Sequence, residues 1–400
     1  MNNKKILWII PYFFIPPDNG SKIRVWNLYK NLSGEFEIYG ISFYEKRKEK
    51  PPEKKLKNFY VYGRDFYLSG GKFTKLLYSI FSPHPLYIGS FKVKEAEEKA
   101  KEIVEKENIE IIQADEIYTA QYLFTVPNVK KILILHNVDS LFFWRSFLHH
   151  PNPLRKIFFL LQFFKMRSYE RKIIPEVDKV FCVSQKDKEI FEKIFKGRIK
   201  LEILPNGVDT EEIKPLPYVK KPVLIYVGAM RYHPNILAVK WFIEKVFPLV
   251  LKEIPDVCFY VIGGGVPEKL KKYERKYPVK FVGYAENLKQ WYEKAKITVV
   301  PLKIGSGTRL KIFESMAYGK PVVSTTLGAE GIEAKDGENI FIADTPEEFG
   351  KKIILLHRDR KLYERISTNG RRLVEEKYDW KKISGKLKTT YSRFLFNRCG

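Results

Sequence analysis

Cysteine is scarce in this 400-residue chain: Cys182, Cys258 and Cys399 only. Their odd number and wide spacing exclude a disulfide framework and a thiolate zinc site, and they fit a reducing, cytoplasmic setting. Long apolar runs are missing too. No stretch reaches the ~18 uninterrupted apolar residues of a membrane-spanning helix. The run from Ile6 to Ile15, behind Lys4 and Lys5, has the outline of a secretory leader. Pro11 interrupts it and no small-residue cleavage site follows, so it reads as a buried first β-strand. Paired Cys/His ligands and basic-aromatic sheet motifs are absent, and no nucleic-acid partner is expected. Glutamine is reduced to five beside abundant Lys, Glu and Ile, a bias of heat-adapted proteins. Acidic charge is in deficit: 47 Asp and Glu against 72 Lys and Arg give a net +25. The excess is shared about evenly between the two halves, so it is not a basic tail. Such a field draws phosphorylated substrates and anionic lipid alike.

What is present is alternation. Short apolar runs are followed by amphipathic stretches almost throughout, the pattern of βα units and parallel sheets. In the first half the pattern predicts strands at 5–10, 36–43, 109–113, 131–135, 179–183 and 200–204. Helices are expected at 23–32, 93–107, 118–124, 154–174 and 186–195. Residues 205–222, rich in Pro, Lys and Glu, read as a linker. The alternation then restarts, with strands at 223–228, 258–262, 279–282, 298–301, 321–324 and 339–342. Helices are expected at 235–253, 267–276, 288–295, 308–318, 346–357 and 361–377, and a last one at 380–396. The length suits two α/β domains, and doubly wound domains bind ligands beyond the carboxyl ends of their strands.

The most informative stretch is TVVPLKIGSGTRLKIFESMAYGKPVVSTTLGAEG, residues 298–331. It reads as strand, glycine-bearing loop, helix, strand. Gly305 and Gly307 permit close backbone approach, and a helix opening near Thr308 aims free N–H groups and a positive dipole end at that loop. Arg309 and Lys311 fall in its first turn, where cations are unfavourable unless an anion offsets them. That misplacement points to a diphosphate. Glu314, further along, has the chemistry to accept hydrogen bonds from a ribose.

With these residues the C-terminal half resembles the donor domain of the retaining glycosyltransferases of family 4, which have the GT-B fold. The likeness runs through PNGVD (205–209), VGAMRYHPN (227–235), FYVIGGG (259–265), FVGYAENLKQWYEKAKITVVPL (281–302) and ESMAYGKPVV (314–323). It implies two Rossmann-like doubly wound domains facing a central cleft. Residues 1–205, completed by the helix 380–396, would bind acceptor, and residues 206–379 would bind a nucleotide-sugar donor. It further implies hexose transfer from a nucleoside-diphosphate sugar, UDP- or GDP-linked, to a hydroxyl of a glycan or lipid-linked acceptor, with retention. No Asp-x-Asp metal motif lies in a suitable loop, so neither metal nor cofactor is expected.

The family carries two glutamates separated by seven residues. Glu314 matches the second, implying ribose contact, whereas the first falls on Ser306. Two basic positions after the first strand of the donor domain read Ala229 and Pro234, with Arg231 nearby. Arg309 and Lys311 are expected to supply the missing charge. Gly228, Arg231, Gly283, Ser306, Gly307, Thr308 and Glu314 are the expected donor contacts, with Gly20 and Ser21 at the opening helix of the first half. His136, beyond a strand, is expected near the transferring sugar, with Arg24 and Asn137 toward the acceptor. A sugar-nucleotide 2-epimerase or a non-catalytic carbohydrate-binding protein on the same scaffold are the alternatives. A dinucleotide oxidoreductase fits poorly, because Gly263-Gly264-Gly265 is followed by Val266-Pro267. Finally, residues 141–174 are dense in Phe, Leu, Lys and Arg. Such a helix suits either the domain interior or the anionic inner face of the cell membrane, with Arg155, Lys156 and Lys165 as contacts.

Overall fold

The computed structural model describes residues 4–46, 56–65, 80–82, 84–304 and 307–396. The chain divides into two compact units, Met1–Pro205 with Ser384–Gly400, and Asn206–Ile383.

The first unit is built on β1 (Lys4–Ile10), β2 (Phe36–Glu45), β3 (Phe59–Arg64), β4 (Ile111–Asp115), β5 (Lys130–Leu135), β6 (Lys179–Cys182) and β7 (Leu201–Ile203). They lie in the order β3-β2-β1-β4-β5-β6-β7, every pairing parallel. Ile6–Ile10 of β1 and all of β4 are buried without alternation, as strands covered on both faces require. Helices α1 (Gly20–Leu32), α2 (Lys94–Glu107), α3 (Asp139–His149), α4 (Pro153–Ile173) and α5 (Gln185–Phe195) complete the layers. Their ends are locally encoded. Asn19 caps α1 by accepting from the Lys22 N–H, Ser184 caps α5 by accepting from Asp187, and Asn108 closes α2 in the left-handed region.

The second unit contains β8 (Val223–Val227), β9 (Cys258–Ile262), β10 (Val279–Gly283), β11 (Ile297–Val300), β12 (Val322–Ser324) and β13 (Phe341–Ile342), ordered β10-β9-β8-β11-β12-β13 and again all parallel. Around them pack α6 (His233–Trp241), α7 (Phe247–Glu253), α8 (Lys289–Lys294), α9 (Leu310–Ala317), α10 (Pro346–Arg358) and α11 (Arg360–Lys377). The closing helix α12 (Trp380–Phe396) starts in this unit and belongs to the first from Ser384 onward. The order reverses between β1 and β4, and again between β8 and β11. These are the switch points at which a doubly wound sheet opens a crevice.

Several expectations need correction. Strand β3 was not anticipated, because its residues are only partly buried and show little apolar contrast. Residues 206–222 are not a free linker. The buried Arg371 guanidinium donates to the carbonyls of Thr210 (2.7 Å), Ile213 (2.6 Å) and Ala317 (2.6 Å), and Asp379 accepts from the Thr210 N–H at 3.1 Å. A segment without periodicity is thus held by side chains far along the chain. The helix expected over 235–253 is α6 and α7 joined by a π turn at Phe242–Val246, beside Pro248, which has no N–H to continue the ladder. Residues 139–173 form two helices separated around Pro151, with Asn152 capping α4. Among the described residues no helix is long and apolar enough to cross a membrane.

Candidate active site

At the switch point of the second sheet, the loops after β8, β9 and β10 are tied backbone to backbone. The Gly228 N–H donates to Ile262 O (2.8 Å), Met230 to Gly264 O (2.8 Å) and Gly263 to Gly283 O (2.7 Å). Gly263 has φ +152°, and a Cβ there would sit 2.0 Å from the Gly228 carbonyl oxygen, so only glycine fits. The result is a low platform of main chain at the carboxyl edge of the sheet.

Helix α9 faces it from the other side of the switch. It opens at Leu310, not at Thr308. Arg309 is extended (φ −91°, ψ 92°) in the capping position, and its guanidinium donates to Gly307 O. Gly307 itself has φ +80°. Lys311, in the first turn, reaches back across the switch. Its amine donates to the Tyr226 hydroxyl at 2.9 Å and lies 4.0 Å from that ring's centroid. The Tyr226 hydroxyl donates to Asn235 Oδ1 (2.6 Å), and Asn235 Nδ2 donates to Ala229 O (2.9 Å). A Cβ on Gly228 would lie 2.6 Å from Lys311 Nζ, so the amine rests against the platform.

The electrostatics are unusual for so basic a chain. Burial, then the neighbouring Arg309, pushes the Lys311 ammonium down to about 7, with Glu314 opposing. Burial raises Glu314 to about 7 against the pull of a Tyr292 hydrogen bond (3.3 Å) and of Lys311. Burial also lowers Arg309. The Thr308 hydroxyl is buried with no hydrogen-bond partner among the described residues. Two basic side chains have therefore been drawn out of water beside the N–H groups of the helix start and a glycine platform. A bound anion would repay that desolvation.

The expected residues Gly228, Gly283, Gly307, Thr308, Arg309, Lys311 and Glu314 all lie on the platform, its neighbouring loops or α9. Arg231 is exposed beside Gly265. Gly305 and Ser306 lie outside the described residues. Tyr226, Asn235 and Tyr292 were missed. Inside apolar strands and helices their rings and amides carry no signal of their own.

The first unit fills its switch point differently. His136, just beyond β5, has Nδ1 3.2 Å from Glu116 Oε1 and Nε2 3.5 Å from Asp115 Oδ2. Asp115 ends β4 and accepts from the Trp8 indole N–H at 3.1 Å. Glu116 adopts φ +63°, a left-handed backbone in a residue that rarely takes it. Burial alone would lower the imidazole, but the Asp115 and Glu116 carboxylates beside its ring nitrogens outweigh it and lift His136 to about 9. That shift favours the charged imidazolium at neutral pH. Next to it the buried Asp139 accepts from the Tyr118 hydroxyl and is raised to about 8 by burial, with Glu116 and Glu170 adding to the rise. Asn137 is half-buried between them. The sequence signal for this group was the acidic pair Asp115-Glu116 directly after an apolar run.

Gly20 and Ser21 form the first positions of α1, as expected. Arg24 does not meet the acceptor expectation. It is buried, and its guanidinium donates to Leu204 O (2.9 Å) and Pro205 O (2.7 Å), bracing the chain where it leaves the first unit.

Comparison with known proteins fits both halves. The family model described as Glycosyl transferases group 1 matches residues 221–359, and that described as Glycosyltransferase Family 4 matches residues 49–212. The chain belongs to this glycosyltransferase family. An uncharacterized glycosyltransferase of Methanocaldococcus jannaschii is 22% identical over 96% of this chain and 97% of its own length. The glycosyltransferase is also similar to the sucrose-phosphate synthase of Thermosynechococcus elongatus (TM-score 0.70, 17% identity, covering 98% of this chain and 99% of that one). Anabaena HepE, solved in complex with UDP and glucose, gives a TM-score of 0.64 at 16% identity, covering 98% of this chain and 100% of that one. Both likenesses identify the GT-B type of fold, two Rossmann-like domains with parallel sheets.

Proposed function

We propose that this glycosyltransferase moves a hexose from a nucleoside-diphosphate sugar to a hydroxyl of a glycan or lipid-linked acceptor, with retention and without a metal. One observation carries the reading. The Lys311 amine, partly discharged by burial, is held by Tyr226 against Gly228, at the mouth of α9 and beside Arg309. A diphosphate seated there would meet two cations and the N–H groups of the helix start. In the transition state the leaving diphosphate gains negative charge, and these fixed groups would stabilise it. Glu314 would accept from the ribose hydroxyls. The solved complex of HepE with UDP and glucose favours UDP over GDP as the first donor to try. In the first unit the His136 imidazolium would offer its charge to the donor sugar or phosphate, and Asn137 would line the acceptor side. The leaving phosphate oxygen would take the acceptor's proton, so no protein base is required.

The test is incubation with radiolabelled UDP- and GDP-sugars, with and without acceptor extracts. Acceptor-dependent transfer is the expected result. An epimerised sugar nucleotide formed without acceptor would identify an epimerase instead. Thermal shift with UDP, GDP and ADP fixes the base, since a ligand at a hundred times its Kd stabilises by ~2.7 kcal/mol. No shift with any nucleotide would overturn the proposal.

A further inference from the structure

The α3–α4 hairpin is apolar on too many sides for an ordinary surface element. In α4 the residues Gln162, Met166, Tyr169 and Glu170 face the interior and are buried. A second stripe, Leu154, Ile157, Leu161 and Phe164, runs at three- and four-residue spacing along another face. Leu154 is 74% exposed, Ile157 63% and Phe164 61%, with Phe142 and Leu148 of α3 exposed as well. From Trp144 to Leu161 no residue is buried, although half of that segment is large and apolar. The segment 80–82 lies alongside, fixed by Lys165, whose amine donates to the carbonyls of Ile80 and Ser82, and it presents Phe81 at 78% exposure. Lys165 is therefore structural and not the surface contact expected from the sequence.

Along the hairpin itself the charge is of one sign. From Ser140 to Tyr169 the chain contains no aspartate or glutamate, but it carries Arg145, Arg155 and Lys156 near the tip. A second copy of the hairpin would bring like charges together, so self-association is disfavoured. We propose that the α3–α4 tip is a membrane-docking surface, inserting Leu154 and Ile157 at the level of the acyl chains and setting Arg145, Arg155 and Lys156 against anionic headgroups. Apolar side chains flanked by unopposed cations are what an anionic bilayer interface selects. The inference is independent of which donor the second unit takes.

Co-sedimentation of the full-length protein with vesicles tests it. Binding is expected to phosphatidylcholine–phosphatidylglycerol vesicles and not to phosphatidylcholine alone. The double variant Leu154→Ser, Ile157→Ser, and separately Arg155→Glu, Lys156→Glu, should each weaken partitioning roughly tenfold or more. Lys269→Glu with Lys272→Glu, exposed in the second unit, should change it little. All these positions are partly or fully exposed, so folding should survive, and an unchanged nucleotide-induced thermal shift would show that the donor site is intact. Three results would overturn the proposal: no binding of wild type to anionic vesicles, equal loss in the second-unit control, or a dimer that the Leu154/Ile157 variant dissociates.

Discussion

The two halves share a strand order up to the sixth strand, yet they treat the same architectural position in opposite ways. Between β8 and β11 the switch point is a main-chain platform with cations and one carboxylate. Between β1 and β4 it is a set of buried carboxylates around one histidine. In the second unit, burial strips charge from Lys311. In the first, Asp115 and Glu116 restore charge to His136 against burial. A common frame thus supplies the place, and the local balance of desolvation and partner charge decides what the place can hold.

The comparison breaks most directly at Lys311. Lys311→Met should lower kcat/KM roughly 100-fold, the scale of losing one preorganised charge contact. Near-wild-type kinetics in both this variant and Arg309→Ala would remove the anion site from α9. Next in size is Gly263→Ala. Its methyl group would meet the Gly228 carbonyl, so the platform must shift, costing about 1–3 kcal/mol of stability along with nucleotide binding. Gly228→Ala meets side-chain atoms of Lys311 and Asn235 and no backbone, and should cost less stability. Equal losses on urea denaturation would contradict the rigid platform.

The imidazolium gives a pH test of the first unit. A histidine at about 9 in the folded chain and near 6.5 when unfolded contributes stability that is full below pH 6.5 and lost as pH rises through 9. The contribution is about 3 kcal/mol. Tm should therefore decline over that window, and His136→Gln should flatten the decline. Glu116→Gln should bring the His136 titration, followed by NMR, back toward neutrality. The smallest effect belongs to the second unit. Nucleotide affinity should weaken above pH 7 as Lys311 loses its proton and weaken below pH 7 as Glu314 gains one. Lys311→Met should erase the alkaline limb and Glu314→Gln the acid limb in calorimetric titrations.

Much of the frame was legible because buried parallel strands are continuous apolar runs, as in KILWII and ITVV. Strand β3 was hidden because FYVYGR is half-buried throughout and shows little apolar contrast. Glycine-bearing loops and misplaced cations pointed to α9 as the candidate site, since Arg309 and Lys311 break a local rule of helix charge. Their partner Tyr226 was unreadable, because a tyrosine inside an apolar strand looks like core. Arg24 misled for the converse reason. A buried arginine spending its donors on Leu204 and Pro205 cannot be told by sequence from one awaiting a ligand.

The path of the chain has a practical consequence for dissecting the molecule. It passes from one unit to the other at Pro205–Asn206 and returns inside α12, where Tyr391 is buried and donates to Gln113 at 2.5 Å. No single cut yields two complete halves. A fragment ending at residue 205 lacks a piece of its own interior, whereas the stretch 206–383 is contiguous and is the half to express alone.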